Sequence, residues 1–441
     1  MFDQFKARRR AARDQSEQKA LAQTCRTLMS ERGEANTIKF ATQALTQYQA
    51  LSEAARIGFF ELLASDYAPD PQRVLNAARR YAETTDAKSE VALLRAADPP
   101  RQALLRHLNL APGGTRALLQ MRRELLAALR TQPALQAVEA DFQHLLASWF
   151  SPAFLALKQV DWHSPAHLLE QIIQHEAVHQ IRDWQDLRRR LAPDRRCFAF
   201  FHPALPDEPL IFVEVALTPQ MPSAIAPLLD DAIDTDTSRA RWAVFYSISN
   251  CQPGLRGVSL GNFLIKQVAE VIQREFPKVN RFCTLSPMPG FGHWLRKKQA
   301  DKLAASIKDD KQRQRLTQAL TLLRGMHGEQ LDRLAEDGNA QVASSTRIEK
   351  PLREALLCLG AHYLLSTREH DASTDAVARF HLNNGAQIRR LNVAANPSMR
   401  GMQESLGLMV NYLYDLEQIE QNHESFLHGE IRAARDIMSA R

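Results

Sequence analysis

The chain has 441 residues, 45% hydrophobic and 24% charged, which are the proportions of an ordinary globular protein long enough for two or three domains. No stretch reaches the roughly 18 consecutive apolar residues of a membrane span, so no membrane partner is expected. Basic residues outnumber acidic ones 56 to 50 and the signs are interleaved, so the formal charge of +6 suits a polyanionic small ligand better than nucleic acid.

Five cysteines, Cys25, Cys197, Cys251, Cys283 and Cys358, show no Cys-x-x-Cys spacing. Neither a disulfide framework nor a zinc ribbon is indicated, and a reducing, cytoplasmic compartment fits. The basic stretch Phe2 to Arg13 lacks an apolar core and is bracketed by Asp3 and Asp14, unlike a transit or secretory signal. Ser439-Ala-Arg441 does not match the peroxisomal Ser-Lys-Leu address.

Residues 1–150 read as helices. Thr37 to Leu63, Pro71 to Thr84, Ser89 to Leu108, Gly114 to Leu129 and Gln132 to Trp149 carry apolar residues at three- and four-residue spacing. Pro69-Asp-Pro71, Asp98-Pro-Pro100 and Pro112-Gly-Gly114 punctuate them, leaving the short connections of an antiparallel bundle. Nothing here groups residues for chemistry, so an oligomerisation or docking role is expected. Residues 151–441 form the second predicted domain.

In that half, Ser164-Pro165 opens a predicted helix, Ala166 to Val178, containing His175-Glu-Ala-Val-His179. The run formally matches the zinc-protease signature, but no third ligand follows at suitable spacing, so a partly buried helix end is the preferred reading and no metal is expected. Cys197 to Phe201 and Leu210 to Leu217 read as strands around Pro206-Asp-Glu-Pro209, with further strands at Trp242 to Ile248 and Val279 to Ser286. Asp230 to Ser238 reads as a solvated loop. Helices are expected at Asp301 to Arg324, Glu329 to Leu334 and Ile348 to Leu365, and Glu336 to Ser345 is the most loop-like stretch. The whole is an α+β chain: a helical bundle, then a mixed sheet of at least four strands.

Gly254-Leu-Arg-Gly-Val-Ser-Leu-Gly-Asn262 separates the Trp242 strand from a predicted helix, Leu260 to Phe276. Three glycines let backbone N–H groups at a helix N-terminus approach a phosphate, although a turn feeding a helix also needs glycine for steric reasons alone. Lys266 and Arg274 lie on that helix as candidate phosphate contacts. The next strand ends in Ser286-Pro-Met-Pro-Gly290, and far downstream His381 precedes an Asn-Asn-Gly turn, with Asn392 and Asn396 as candidates to orient its imidazole.

The glycine-rich block resembles the pyrophosphate-binding strand-turn-helix of the Gcn5-related N-acetyltransferase superfamily. The Arg/Gln-x-x-Gly-x-Gly/Ala pattern is met only as Gly254-x-x-Gly257-x-Ser259. Over almost the entire chain the ordered set Ser30-Glu-Arg-Gly-Glu-Ala35, Ala147-Ser-Trp-Phe150, Glu176-Ala-Val-His179, Gly257-Val-Ser-Leu-Gly261, Ser286-Pro-Met-Pro-Gly-Phe291 and Phe380-His-Leu-Asn-Asn-Gly-Ala386 resembles the malonyl-CoA decarboxylase family.

The resemblance implies a helical N-terminal domain (1–150) that assembles a dimer or tetramer, and an acetyltransferase-like catalytic domain (151–441). It implies catalysis by Ser286 and His381, and malonyl-CoA binding by those two with Arg256, Gly257, Val258, Ser259, Leu260, Gly261 and Asn262. Some relatives carry Glu where this chain has Ser259, so a carboxylate's role there does not transfer.

The implied carboxy-lyase reaction needs no metal or organic cofactor, because the thioester is itself the electron sink. The natural setting is disposal of malonyl-CoA or use of malonate. Histidine, with an ordinary pKa of about 6.5, is expected to titrate near working pH and protonate the enolate. The rival readings are an acyl-CoA N-acyltransferase, which needs an amine acceptor, and a non-enzymatic CoA-binding scaffold.

Overall fold

The computed structural model describes residues 2–31, 33–229, 236–258, 260, 264–297, 299–327, 350–367 and 375–441. The predicted segments Glu329 to Leu334 and Glu336 to Ser345, and positions 230–235 of the Asp230 loop, lie outside these. Two compact units emerge: residues 1–155 with His202–Asp207 and Gln252–Leu260, and the remainder from Ala156 onward.

The first unit is helical. The expected Thr37 to Leu63 helix is two, Glu34–Ala50 and Glu53–Ser65, because Ser52 turns extended and caps the second by accepting from Ala55 N–H. Asp98-Pro99 likewise splits the next prediction into Ala87–Ala97 and Pro100–Asn109, since proline lacks the N–H and clashes with the preceding turn. Helices Gly114–Ala128 and Gln136–Trp149 pack on each other and on Glu53–Ser65; the first two bury Leu118, Leu125, Val138 and Leu146, and the third buries Phe59, Phe60 and Leu63.

The second unit is built on an eight-stranded mixed sheet in the order β1-β2-β3-β4-β5-β8-β6, with β7 paired to β8. The strands are β1 Ala156–Val160, β2 Arg195–Phe201, β3 Ile211–Thr218, β4 Trp242–Asn250, β5 Arg281–Thr284, β6 Ser286–Pro287, β7 Gln387–Asn392 and β8 Met409–Tyr414. Strands β2 to β4 are buried on both sides, which accounts for their largely apolar runs. All pairings are antiparallel except β4 with β5, which the helix Leu264–Glu275 connects. The sheet therefore contains one strand-turn-helix-strand crossover. Where β5 gives way to β6 at Leu285, both strands pair with β8, which brings Thr284 and Ser286 beside Tyr412 and Val410.

The helix expected over Ala166 to Val178 stops at His175, and Glu176 is extended. His175 and His179 therefore do not sit one turn apart on a helix. The Glu176 carboxylate accepts from Ser247 at 2.8 and 2.7 Å, from Ser249 at 3.2 Å, and from the N–H groups of Val178 and His179. Beneath it Arg190 donates to Glu214 at 2.7 Å, to Asp186 at 3.1 Å and to His179 O at 3.0 Å. Among the described residues no three His, Cys, Asp or Glu side chains gather as metal ligands, and no helix is long and apolar enough to cross a membrane.

Candidate active site

Ser286 and His381, 95 positions apart, meet: Oγ lies 2.9 Å from Nε2, and both residues are buried. Two local devices place them. Asp375 caps the helix Ala376–Asn383 by accepting from Val377 and Ala378 N–H at 2.9 Å each, and its second oxygen accepts from Gly290 N–H at 3.2 Å and the Tyr363 hydroxyl at 2.8 Å. One carboxylate thus ties the loop after Ser286 to the start of the helix that carries His381. At the other end of that helix Gly385 takes φ +77, and a Cβ there would lie 2.2 Å from Ile419 O, so only glycine completes the Asn-Asn-Gly turn.

The hydrogen bonds around the pair form a directed chain. Ser286 Oγ donates to Thr284 Oγ1 at 2.9 Å, and Thr284 Oγ1 also accepts from Tyr412 N–H at 3.2 Å. A hydroxyl has one hydrogen, so with that hydrogen given to Thr284 the Ser286 oxygen accepts from His381 Nε2–H. Nδ1 is then unprotonated and accepts from the Tyr414 hydroxyl at 2.8 Å. The Tyr412 ring stacks on the imidazole, centroids 4.5 Å apart at 28°.

Burial sets the charge state. His381 is pushed down to about 3 by complete desolvation, with no carboxylate among the causes to counter it. Burial also pushes the Tyr412 and Tyr414 phenols well above their ordinary range. The expectation of an imidazole titrating near neutrality is therefore corrected: at neutral pH the chain is uncharged. A neutral imidazole can still act as a hydrogen-bond donor to developing negative charge in a dry site.

Asn392 and Asn396 do not orient the imidazole as anticipated. The Asn392 amide donates to Asn411 and to Met409 O, and Asn396 accepts from Ser398 N–H. Tyr414 has that place, and it, Thr284 and Tyr412 were missing from the sequence-based set. Thr284 was within reach, since position i−2 on a strand shares a face with Ser286. Tyr414 depends on a pairing with β8, which local pattern does not carry.

In the helical unit, the turn Gln252–Leu260 is held by carbonyls. Arg122 Nη1 donates to Gly254 O at 2.6 Å and Nη2 to Arg256 O at 2.8 Å, while Gln143 donates to Gly257 O at 3.0 Å. A Cβ on Gly254 would lie 2.2 Å from Leu119 O, and Gly257 has φ +78, so both glycines are required by geometry. Arg256 and Gly257 are exposed, and Val258 and Leu260 are buried. Ser259, Gly261 and Asn262 lie outside the described residues. Lys266 is 3.5 Å from Glu420, and Arg274 donates to Glu270 O.

Comparison with known proteins agrees across the chain. The malonyl-CoA decarboxylase C-terminal domain profile matches residues 153–440, and the malonyl-CoA decarboxylase N-terminal domain profile matches residues 67–150. The mitochondrial malonyl-CoA decarboxylase of Anser anser anser is 36% identical over 403 residues, covering 86% of this chain and 78% of that protein. The crystal structure of malonyl-CoA decarboxylase from Rhodopseudomonas palustris superposes with a TM-score of 0.84 at 45% identity, covering 96% of this chain and 99% of that one. The Agrobacterium vitis malonyl-CoA decarboxylase structure gives 0.81 at 44% identity, with the same coverage of 96% and 99%.

Proposed function

The chain belongs to the malonyl-CoA decarboxylase family, and on that premise we propose that it converts malonyl-CoA to acetyl-CoA and carbon dioxide with Ser286 and His381 as its catalytic residues. The observation that carries the reading is the 2.9 Å approach of Ser286 Oγ to His381 Nε2. The bond between the carboxylate carbon and Cα breaks, its electron pair moves into the thioester, and carbon dioxide leaves an enolate. Ser286 O–H delivers a proton to the α-carbon as it takes one from His381 Nε2–H. Nδ1 then draws on the Tyr414 hydroxyl, and water restores the proton afterwards. No metal or organic cofactor enters this scheme, because the thioester accepts the electrons.

The coenzyme A portion is assigned to the turn Arg256, Gly257, Val258, Ser259, Leu260, Gly261 and Asn262, where the N–H groups of Arg256 and Val258 donate within the turn and that of Gly257 suits a pyrophosphate. Self-association as a dimer or tetramer is assigned to the helical unit. In support, helix Pro71–Thr84 buries none of its residues, and Leu75, Val91 and Leu94 are exposed. A reducing setting is supported by five buried cysteines that form no disulfide; a cytoplasmic location and disposal of malonyl-CoA or use of malonate are the setting and role proposed. The goose relative is a mitochondrial protein by name.

The test is to supply purified protein with malonyl-CoA alone and follow acetyl-CoA and carbon dioxide. Stoichiometric release of both is expected. Acyl transfer that requires an added amine, or CoA binding without turnover, would overturn the assignment.

A further inference from the structure

We propose that Arg122, locked in place by Glu139, is a positioning residue for acyl-CoA binding, which gives the helical unit a direct part in substrate recognition. The inference rests on assigning the coenzyme A site to the turn. Arg122 is 1% exposed, and four of its five N–H donors are engaged: Nε and Nη2 donate to the two oxygens of Glu139 at 3.0 and 2.6 Å, and Nη1 and Nη2 donate to Gly254 O and Arg256 O. The planar fork fits this fourfold arrangement; an ammonium has only three hydrogens and no fixed plane. With its charge spent on Glu139, Arg122 does not serve as a cation for a phosphate. Its effect runs through the backbone.

Peptide planes transmit that effect. In a trans peptide C=O and N–H point in opposite directions, and no peptide bond is cis among the described residues. Drawing the Arg256 carbonyl onto Arg122 therefore turns the Gly257 N–H the other way, outward at an exposed residue. Gln143 fixes the next carbonyl, that of Gly257. Leu119 O stands where a Cβ of residue 254 would be, so the turn lies directly against helix Gly114–Ala128. The N–H groups of Arg256 and Val258 are engaged by Pro253 O and Leu255 O, so the donor that the helices preorganise for a pyrophosphate is the Gly257 N–H, and preorganisation lowers the ordering cost of binding.

A contact of this kind serves ground state and transition state equally, so its loss raises KM and leaves kcat alone. Removing Arg122 alone would strand a buried carboxylate and threaten folding. The decisive variant is Arg122→Met combined with Glu139→Leu, which exchanges a buried ion pair for an apolar pair and is commonly tolerated. With folding verified by circular dichroism and thermal melting, we expect KM for malonyl-CoA and the inhibition constant of free CoA each to rise about tenfold, with kcat within about twofold. Malonyl-pantetheine, which lacks the pyrophosphate, should be turned over equally well by wild type and variant.

An unchanged KM in the folded double variant overturns the proposal, as does an equal loss with malonyl-pantetheine. Gly257→Val separates this failure from failure of the site itself. If it raises KM while the double variant does not, the turn binds coenzyme A without the clamp. If neither changes KM, the site lies elsewhere and the proposal falls with it.

Discussion

The turn at residues 254–257 and the Ser286–His381 pair solve the burial of polar groups in opposite ways. In the helical unit Arg122 and Glu139 are both charged and both buried, and each compensates the other directly. In the sheet unit Ser286, His381 and Tyr414 are equally buried but uncharged, joined only by hydrogen bonds. Removing one partner of a buried ion pair costs about 3–5 kcal/mol, so such a pair is a rigid fixture suited to holding backbone. A neutral chain of hydroxyls and imidazole can instead move a hydrogen along itself with little loss of hydrogen bonding. Fixed charge holds the turn, and mobile hydrogens sit where the proposed reaction would move a proton. The comparison therefore separates by kinetics: damage to the first system should appear in KM, damage to the second in kcat.

The largest expected effect lies in the second system. His381→Asn and Ser286→Ala should each lower kcat by about 100- to 10,000-fold while changing malonyl-CoA affinity little. Their combination should cost far less than the product of the single losses, because both serve one proton transfer. Fully multiplicative losses would break the chain into two independent groups. A rise in KM at constant kcat would erase the contrast with Arg122.

The next effect concerns charge. His381 has a folded pKa of about 3, below its unfolded value. Between the two values the unfolded chain holds a proton that the folded chain lacks, so this residue's contribution favours folding less and less as pH falls from about 6.5 towards 3. Denaturant melts at pH 7 and pH 5 should show wild type losing about 2 kcal/mol more than His381→Asn over that interval. For the same reason the kcat/KM profile of the free enzyme should carry no histidine inflection between about pH 5 and 8. An inflection near 6.5 that vanishes in His381→Asn would mean that the imidazole is charged at work.

Much of this was legible in the sequence wherever the determinant is local. The break at Ser52 is the hardest of the helix boundaries to read: no proline or glycine marks it, as prolines mark the break at Asp98-Pro99, and a capping serine alone did not outweigh the continuous apolar spacing. Asp70-Pro71 and Asp375 are caps next to the helices they start, and the former was read as a boundary. The meeting of Ser286 and His381 was anticipated through ordered motifs, not through spacing, since a separation of 95 positions carries no geometric information. The strands β7 and β8 and the role of Tyr414 were not recovered, because short strands are defined by long-range partners. The depressed pKa of His381 was equally out of reach: it follows from total burial, and the sequence shows only a histidine before an Asn-Asn-Gly turn. Arg122 looks like one more basic residue on an amphipathic helix until its neighbours from the turn are known.

The smallest expected effect probes how the neutral chain is directed. Thr284 is 1% exposed, and its oxygen accepts both the Ser286 hydroxyl and Tyr412 N–H. That acceptor draws the Ser286 hydrogen away from His381, leaving Nε2 as the protonated nitrogen, the one facing Ser286. Thr284→Val keeps the shape of the side chain and removes the oxygen. Ser286 is then free to donate to Nε2, the imidazole hydrogen moves to Nδ1 facing Tyr414, and the proton starts on the wrong nitrogen. The expected loss in kcat is about tenfold, the equivalent of one ordinary hydrogen bond of about 1.4 kcal/mol, with KM nearly unchanged. Thr284→Ser should recover most of it. Nitrogen-15 spectra of labelled histidine supply the reading that packing alone would not give: wild type should show His381 protonated at Nε2, and Thr284→Val should shift population towards Nδ1–H. An Nδ1–H tautomer already dominant in wild type would reverse the direction assigned to the chain, and a Thr284→Val variant with normal kcat would remove Thr284 from it.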